Sequence, residues 1–292
     1  MTELSKEHAR SFFSSQGFAV EDIATAGDDG EQRADLRVSV DGEEYIVEAK
    51  VREPHREWHT TLQKAEVDGF ASATRPIEPW WVLAKRISEA RDQLVATPAS
   101  ANAFRVLWVV ALHGDASFVI SCVEKQLIGV RQLFAYRTEM FSQDFIGAAP
   151  DARDCYYYED NDFERYPEID AAMLCTREGG QLFVNHFSPN RERFRESRLY
   201  SILNLYGAVV DAEVLVKNGR ALMLDTDFRG PREGGAQKSY LREKHGVLVS
   251  VAIESQYHGI TFIPVANPDE TQDPSAGSTS TPEVAPEDHD GG

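Results

Sequence analysis

The sequence is short of cysteine, of long apolar runs and of basic side chains, and each shortage excludes something. Its three cysteines, Cys122, Cys155 and Cys175, lie far apart without C-x-x-C spacing. Neither a zinc site nor a closed disulfide framework is expected from them. No run of about eighteen apolar residues occurs, and the opening Met1-Thr-Glu-Leu-Ser-Lys-Glu lacks the basic and apolar stretches of a signal peptide. A cytoplasmic protein without membrane contact is the expectation. Lysine and arginine together number 30 against 48 acids, for a formal net charge of −18, so the global field repels polyanions and gives a free-standing nucleic-acid binder no long-range attraction. Part of that excess is Asp269, Glu270, Asp273, Glu283, Glu287, Asp288 and Asp290, in a stretch that holds no Lys or Arg.

What is present is a globular chain of 292 residues with 42% hydrophobic content, enough for one large core or two modest ones. The expected division is a first unit over 1–115, an α+β region over 116–266 and an acidic tail over 267–292. The tail is dominated by Pro, Ser, Thr, Gly and acids, and holds too little apolar surface to offset the entropy of ordering.

Residues 3–16 read as an amphipathic helix with Ala9, Phe12 and Phe13 on one stripe and Gly17 as a stop signal. Phe18-Ala-Val opens a strand, and Gly27-Asp-Asp-Gly-Glu is a polar loop. From Asp35 the period becomes two: Leu36, Val38 and Val40 alternate with Arg37 and Ser39. Asp41-Gly42 then turns the chain and Tyr45-Ile-Val-Glu-Ala-Lys-Val returns, so a β-hairpin is expected. Residues 57–73 are weakly helical, and a Pro-rich stretch with Trp80 and Trp81 follows. Residues 82–96 form a helix with the stripe Leu83, Ile87, Ala90 and Leu94, ended by Thr97-Pro98. The apolar run Val106-Leu-Trp-Val-Val-Ala-Leu112 reads as a buried central strand. Further along, the pattern gives a helix near Glu124–Tyr136, strands at Gln181–Asn185 and Val247–Ile253, and a hairpin at Asn218-Gly219.

The chemistry concentrates on the returning strand. Residues two apart share a face, so Glu48 and Lys50 point one way while Val47, Ala49 and Val51 pack on the other. Charges beside a core are unfavourable unless they are paired or bind a metal. Asp35 heads the partner strand, where its carboxylate can converge on Glu48. Two carboxylates and an ammonium suit phosphodiester hydrolysis: hard oxygens hold Mg²⁺ or Mn²⁺, which activates water beside the scissile phosphate, and Lys50 orients that water and stabilises the developing charge. One E-x-K arises by chance about once in a chain this long, so the weight lies in the context of hairpin, apolar strand and Asp35.

This arrangement resembles the PD-(D/E)XK nuclease superfamily over roughly residues 5–112, and within it the archaeal Holliday-junction resolvases and related restriction-enzyme domains. The resemblance implies a restriction-endonuclease-like αβββαβ core with a mixed sheet, the same order read above. It implies a Mg²⁺- or Mn²⁺-dependent DNA endonuclease in repair, restriction or phage defence. Asp35 and Glu48 would be the metal ligands and Lys50 the catalytic cation. Relatives often add a polar residue on the helix after the motif; Arg86 and Gln93 share that edge, and Gln93 is the candidate. Ala34 stands where the motif name has Pro. In the first helix, where relatives often place a third acid beside the stripe, Lys6 falls instead, and Glu7 lies nearly opposite. The charge balance points to a protein partner in targeting, and a homo-oligomer is the other expectation, because nucleases that cut both strands are frequently two-fold dimers. A nuclease-fold binding or assembly module that no longer cleaves is the alternative.

Three other segments are weighed and set aside. His55-Arg-Glu-Trp-His59 lacks the glutamate position of H-E-x-x-H, and Cys155-Tyr-Tyr-Tyr-Glu-Asp-Asn-Asp lacks the spacing of a calcium loop. Asn190-Arg-Glu-Arg-Phe-Arg-Glu-Ser-Arg198 could contact phosphate, but Glu192 and Glu196 make a salt-bridged helix face at least as plausible.

Overall fold

The computed structural model describes residues 2–24, 32–52, 56–77, 81–111, 116–137, 151–224, 234–252 and 256–262. The expected loop at 27–31, Trp80, His55 and the tail 267–292 lie outside them.

Helix α1 (Thr2–Ser15) buries Ala9 and Phe13 completely, and Phe13 meets Phe18 and Trp108 with ring centroids 5.3 Å apart in each case. Strand β1 (Ala19–Asp22) follows, then β2 (Leu36–Val40) and β3 (Glu43–Arg52). The β2–β3 register pairs Val40 with Glu43. Asp41 and Gly42 take φ of 50° and 84°, the doubly left-handed two-residue turn that matches strand twist. Leu36 and Val38 are fully buried while Ser39 is exposed, as the period of two requires.

Helix α2 (Arg56–Asp68) and strand β4 (Ala71–Ile77) are inserted before α3 (Trp81–Ala96) and β5 (Phe104–Ala111). Setting the insertion aside, the first 111 residues run helix, three strands, helix, strand, the expected order. The α3 stripe Leu83, Ile87, Ala90 and Leu94 is buried as expected. Strand β5 is buried on both faces. Val106, Trp108 and Val110 pack with α1, whereas Leu107, Val109 and Ala111 pack with α3.

The rest of the chain gives α4 (Ala116–Ile128), β6 (Arg131–Arg137), β7 (Asp151–Tyr156), α5 (Asp162–Arg165), β8 (Ala171–Cys175), β9 (Gly180–Val184), α6 (Arg191–Arg195), α7 (Arg198–Leu205), β10 (Val209–Val210), α8 (Ala212–Lys217), β11 (Leu222–Met223), α9 (Gly234–His245), β12 (Val247–Ala252) and β13 (Gln256–Phe262). The class is α/β. The main sheet has seven strands in the order β1-β2-β3-β5-β8-β9-β10, with β3, β5 and β8 parallel and β1, β2 and β3 antiparallel in turn. Helices α1 and α7 cover one face, α3 and α4 the other. A four-stranded sheet, β11-β7-β6-β12, packs with Leu241 of α9 over a smaller cluster, and β4 pairs with β13. No helix among the described residues is long and apolar enough to cross a membrane.

Three expectations need correction. The boundary at 115 does not separate two cores: β8, β9 and β10 continue the sheet begun by β1, β2, β3 and β5, and both main clusters mix residues from either side. The helix expected near Glu124–Tyr136 starts earlier and stops at Ile128, and residues 131–137 form a strand. Asn218-Gly219 is a helix stop, not a hairpin turn. Asp211 caps α8 by accepting from the Glu213 and Val214 amides, Asn218 is its C-cap, and the Arg220 amide donates to the Leu215 carbonyl at 2.9 Å.

Candidate functional site

Asp35 is fixed before its side chain is considered. Its N–H donates to the Val47 carbonyl at 3.2 Å, its carbonyl accepts from the Ile23 amide at 3.1 Å, and its Oδ2 accepts from the Ala49 amide at 2.9 Å. The carboxylate thus takes the place of a ladder acceptor on β3, directly beside Glu48, and only 4% of the residue is exposed.

On β3 the alternation puts Val47 and Ala49 into the α1 layer and Ile46 into the α3 layer, so Glu48 and Lys50 share the α3 face. Lys50 Nζ lies 2.5 Å from Glu48 Oε1 and donates to Gln93 Oε1 at 2.7 Å. The structure therefore brings together all four residues singled out from the sequence, Asp35, Glu48, Lys50 and Gln93. They meet where the head of β2, the end of β3 and the last turn of α3 converge.

The electrostatics are those of a crowded, water-poor pocket. Glu48 is 1% exposed. Burial first, and then the neighbouring Asp35 charge, push its carboxyl up to about 8, against the pull of the Lys50 ammonium. Burial also raises Asp35, opposed by the Ala49 amide and by the charges of Lys50 and Lys6. The two acids together hold on to a proton that separate surface carboxyls would release. No N–H or O–H of the protein donates to the buried Glu48 Oε2, the Glu48 carboxyl stands within hydrogen-bonding reach of Asp35, and such a pair calls for a shared proton, a cation or water.

That pair of carboxylates fits a hard divalent ion. Mg²⁺ commonly takes one or two carboxylates and completes its shell with water and phosphate oxygens. Among the described residues no group of three or more His, Cys, Asp or Glu is placed to hold a metal, so the fit rests on Asp35 and Glu48 alone. An open groove of about 540 Å³ reaches the site at Gln93 and is lined also by Gln32, Glu89, Arg91 and Asp92.

Lys6 pairs with Asp22 at 2.7 Å while its charge still reaches Asp35. Other sequence candidates fall elsewhere: Glu7 is exposed and held by Arg10. Arg86 is exposed on α3. The basic segment around Phe194 is engaged internally. Arg195 bonds Asp211 and Glu213, Arg191 bonds the His186 carbonyl, and Arg193 lies 4.2 Å over the Phe104 ring. These contacts favour the salt-bridged reading over phosphate contact. The three cysteines are buried.

The sequence reading missed Thr97 as a site neighbour, treating it only as a helix stop. Its hydroxyl donates to the Gln93 carbonyl at 2.7 Å and accepts from the Ala34 amide at 2.8 Å. No periodicity could signal a bond to a residue 63 positions away. Comparison with protein-family models, curated proteins and solved structures finds no match.

Proposed function

We propose that this chain is a metal-dependent endonuclease of the PD-(D/E)XK kind that hydrolyses DNA phosphodiester bonds with Mg²⁺ or Mn²⁺. The single observation that carries the reading is the pair of buried carboxylates Asp35 and Glu48, with no protein donor to Glu48 Oε2 and with Lys50 held at the same point by Gln93. Asp35 and Glu48 would hold the ion. When bound it supplies a Lewis acid beside the phosphate and lowers the pKa of a nearby water. The chain's own groups do the rest. The Gln93 amide oxygen keeps the Lys50 ammonium aimed across the site, where it stabilises charge on the phosphate oxygens and orients the attacking water. Burial of both acids keeps competing solvent out.

The net charge of −18 sets the partner. A field of that sign repels DNA, so a partner protein that offsets this charge brings the site to its substrate.

The purified chain, assayed with Mg²⁺ or Mn²⁺ on linear, nicked, branched and single-stranded DNA, is expected to cut at least one of these. Lys50→Ala is expected to lower the rate roughly 100- to 1000-fold. Equal cutting by wild type and Lys50→Ala would refute the assignment. A second reading, a binding or assembly module that keeps the fold without cleaving, is favoured by the lack of a third acid among the described residues. It predicts no metal heat in calorimetry that disappears in Asp35→Ala.

A further inference from the structure

We infer that Thr97 is a positioning residue for this site, its hydroxyl setting the spacing between the Asp35 segment and the Gln93–Lys50 pair. The inference rests on the metal-dependent reading above and goes beyond it by naming what holds the two halves together.

The Asp35 half arrives on a chain segment with no side-chain anchor of its own at Ala34, which is fully buried. The Gln93 half hangs from the last turn of α3, where carbonyls lack intrahelical donors. A single hydroxyl closes both gaps: Thr97 Oγ1 donates to the Gln93 carbonyl at 2.7 Å and accepts from the Ala34 amide at 2.8 Å. Thr97 is 2% exposed, so water cannot easily substitute for either bond.

From Ala34 the next residue is Asp35, whose Oδ2 is seated on the Ala49 amide. From Gln93 the side chain reaches Lys50 and, through it, Glu48. Every member of the four-residue group is thus linked to Thr97 by no more than a short run of hydrogen bonds and covalent bonds. Removing the hydroxyl leaves a buried N–H unpaired and takes away a direct bond between the segment entering β2 and the end of α3. Groups bonded directly to metal ligands alter affinity roughly 10- to 100-fold when lost, and Thr97, one bond further out, is expected to act at about 10-fold or somewhat more.

The test uses the full chain and Mn²⁺ in isothermal titration calorimetry, with thermal unfolding run alongside. Thr97→Val keeps the shape and removes the hydroxyl, whereas Thr97→Ser keeps the hydroxyl and removes the methyl. Weakening of Mn²⁺ binding by about 10-fold or somewhat more in Thr97→Val, with Thr97→Ser within about threefold of wild type, supports the inference. A residue that merely fills space gives the reverse order.

Unchanged affinity in Thr97→Val overturns the Thr97 role while leaving the metal reading intact, and absence of binding by wild type overturns both. If Thr97→Val does not fold, the wild type decides: the Ala34 amide resonance is expected to shift on Mg²⁺ saturation together with that of Ala49. A shift of Ala49 alone overturns the inference.

Discussion

Glu48 shows at the scale of one residue what a site of this kind does to the fold that carries it. Its carboxyl, ordinarily near 4.5, sits at about 8 because it is buried beside Asp35. Between those two pH values the folded chain keeps a proton that the unfolded chain has lost, so stability must fall as pH rises across that window. The contribution of the neutral acid is fully present below about 4.5 and gone above about 8. Glu48→Gln, which mimics the neutral acid, is therefore expected to change stability little at pH 4.5 and to raise it on the order of a few kcal/mol at pH 9. Urea unfolding in the presence of a chelator would measure this. An equal change at both pH values would mean that the acid is not held in the strained environment described. The same residue was legible in the sequence for a simple reason. A two-residue period on a strand that follows a D-G turn puts Glu48 and Lys50 on one face with Asp35 heading the partner strand, whereas Gln93 follows from the resemblance, since helical spacing alone puts Arg86 on the same edge of α3. Thr97 was not legible, because its partners are peptide groups of distant segments and carry no pattern.

At the scale of elements, the two misread stretches both turned on a glycine. Apolar spacing from Glu124 to Tyr136 looks helical throughout, yet the chain leaves α4 at Gly129, which takes φ of 56°, and enters β6. Its carbonyl accepts from the Tyr158 and Glu159 amides at 3.0 Å each, which brings the two segments so close that a Cβ on Gly129 would stand 2.2 Å from the Glu159 carbonyl oxygen. At Asn218-Gly219 the same dipeptide serves hairpins and helix ends alike, and the Asp211 cap upstream decides for the helix. Gly219 also has positive φ, 68°, but nothing lies within 4 Å of an added Cβ. The two positions therefore separate conformational cost from packing cost. Gly219→Ala is expected to lose about 1 kcal/mol, whereas Gly129→Ala should lose at least about 3 kcal/mol because backbone must move as well. Chemical denaturation of both variants gives the comparison, and equal losses would show that the approach of Glu159 is not tight.

At the scale of the whole molecule, the question is why a boundary at 115 looked reasonable and why the fold does not respect it. The first 111 residues hold a complete helix–strand series and the polar cluster, so they resemble a self-sufficient unit. The apolar run of β5 already argues otherwise. A strand buried on both faces needs a neighbour at each edge, and the early segment supplies only β3. The other neighbour is β8, paired with β5 from Val106–Ala171 to Val110–Cys175, and the sheet then continues through β9 and β10. Cutting the chain at 115 would bare the β5 edge along Val106, Leu107, Trp108, Val109 and Val110, all now less than 5% exposed. It would also remove α7 and α4 from the two faces of the sheet. An unpaired apolar edge of this kind templates association, and each large side chain returned to water costs about 1.5–3 kcal/mol. The fragment 1–115 is therefore expected to aggregate or to lack a cooperative thermal transition, while the full chain unfolds cooperatively. Gel filtration and circular dichroism of the fragment decide the matter. A monomeric fragment with a sharp transition would show that β5 tolerates an open edge and that the site's scaffold ends where the sequence first suggested.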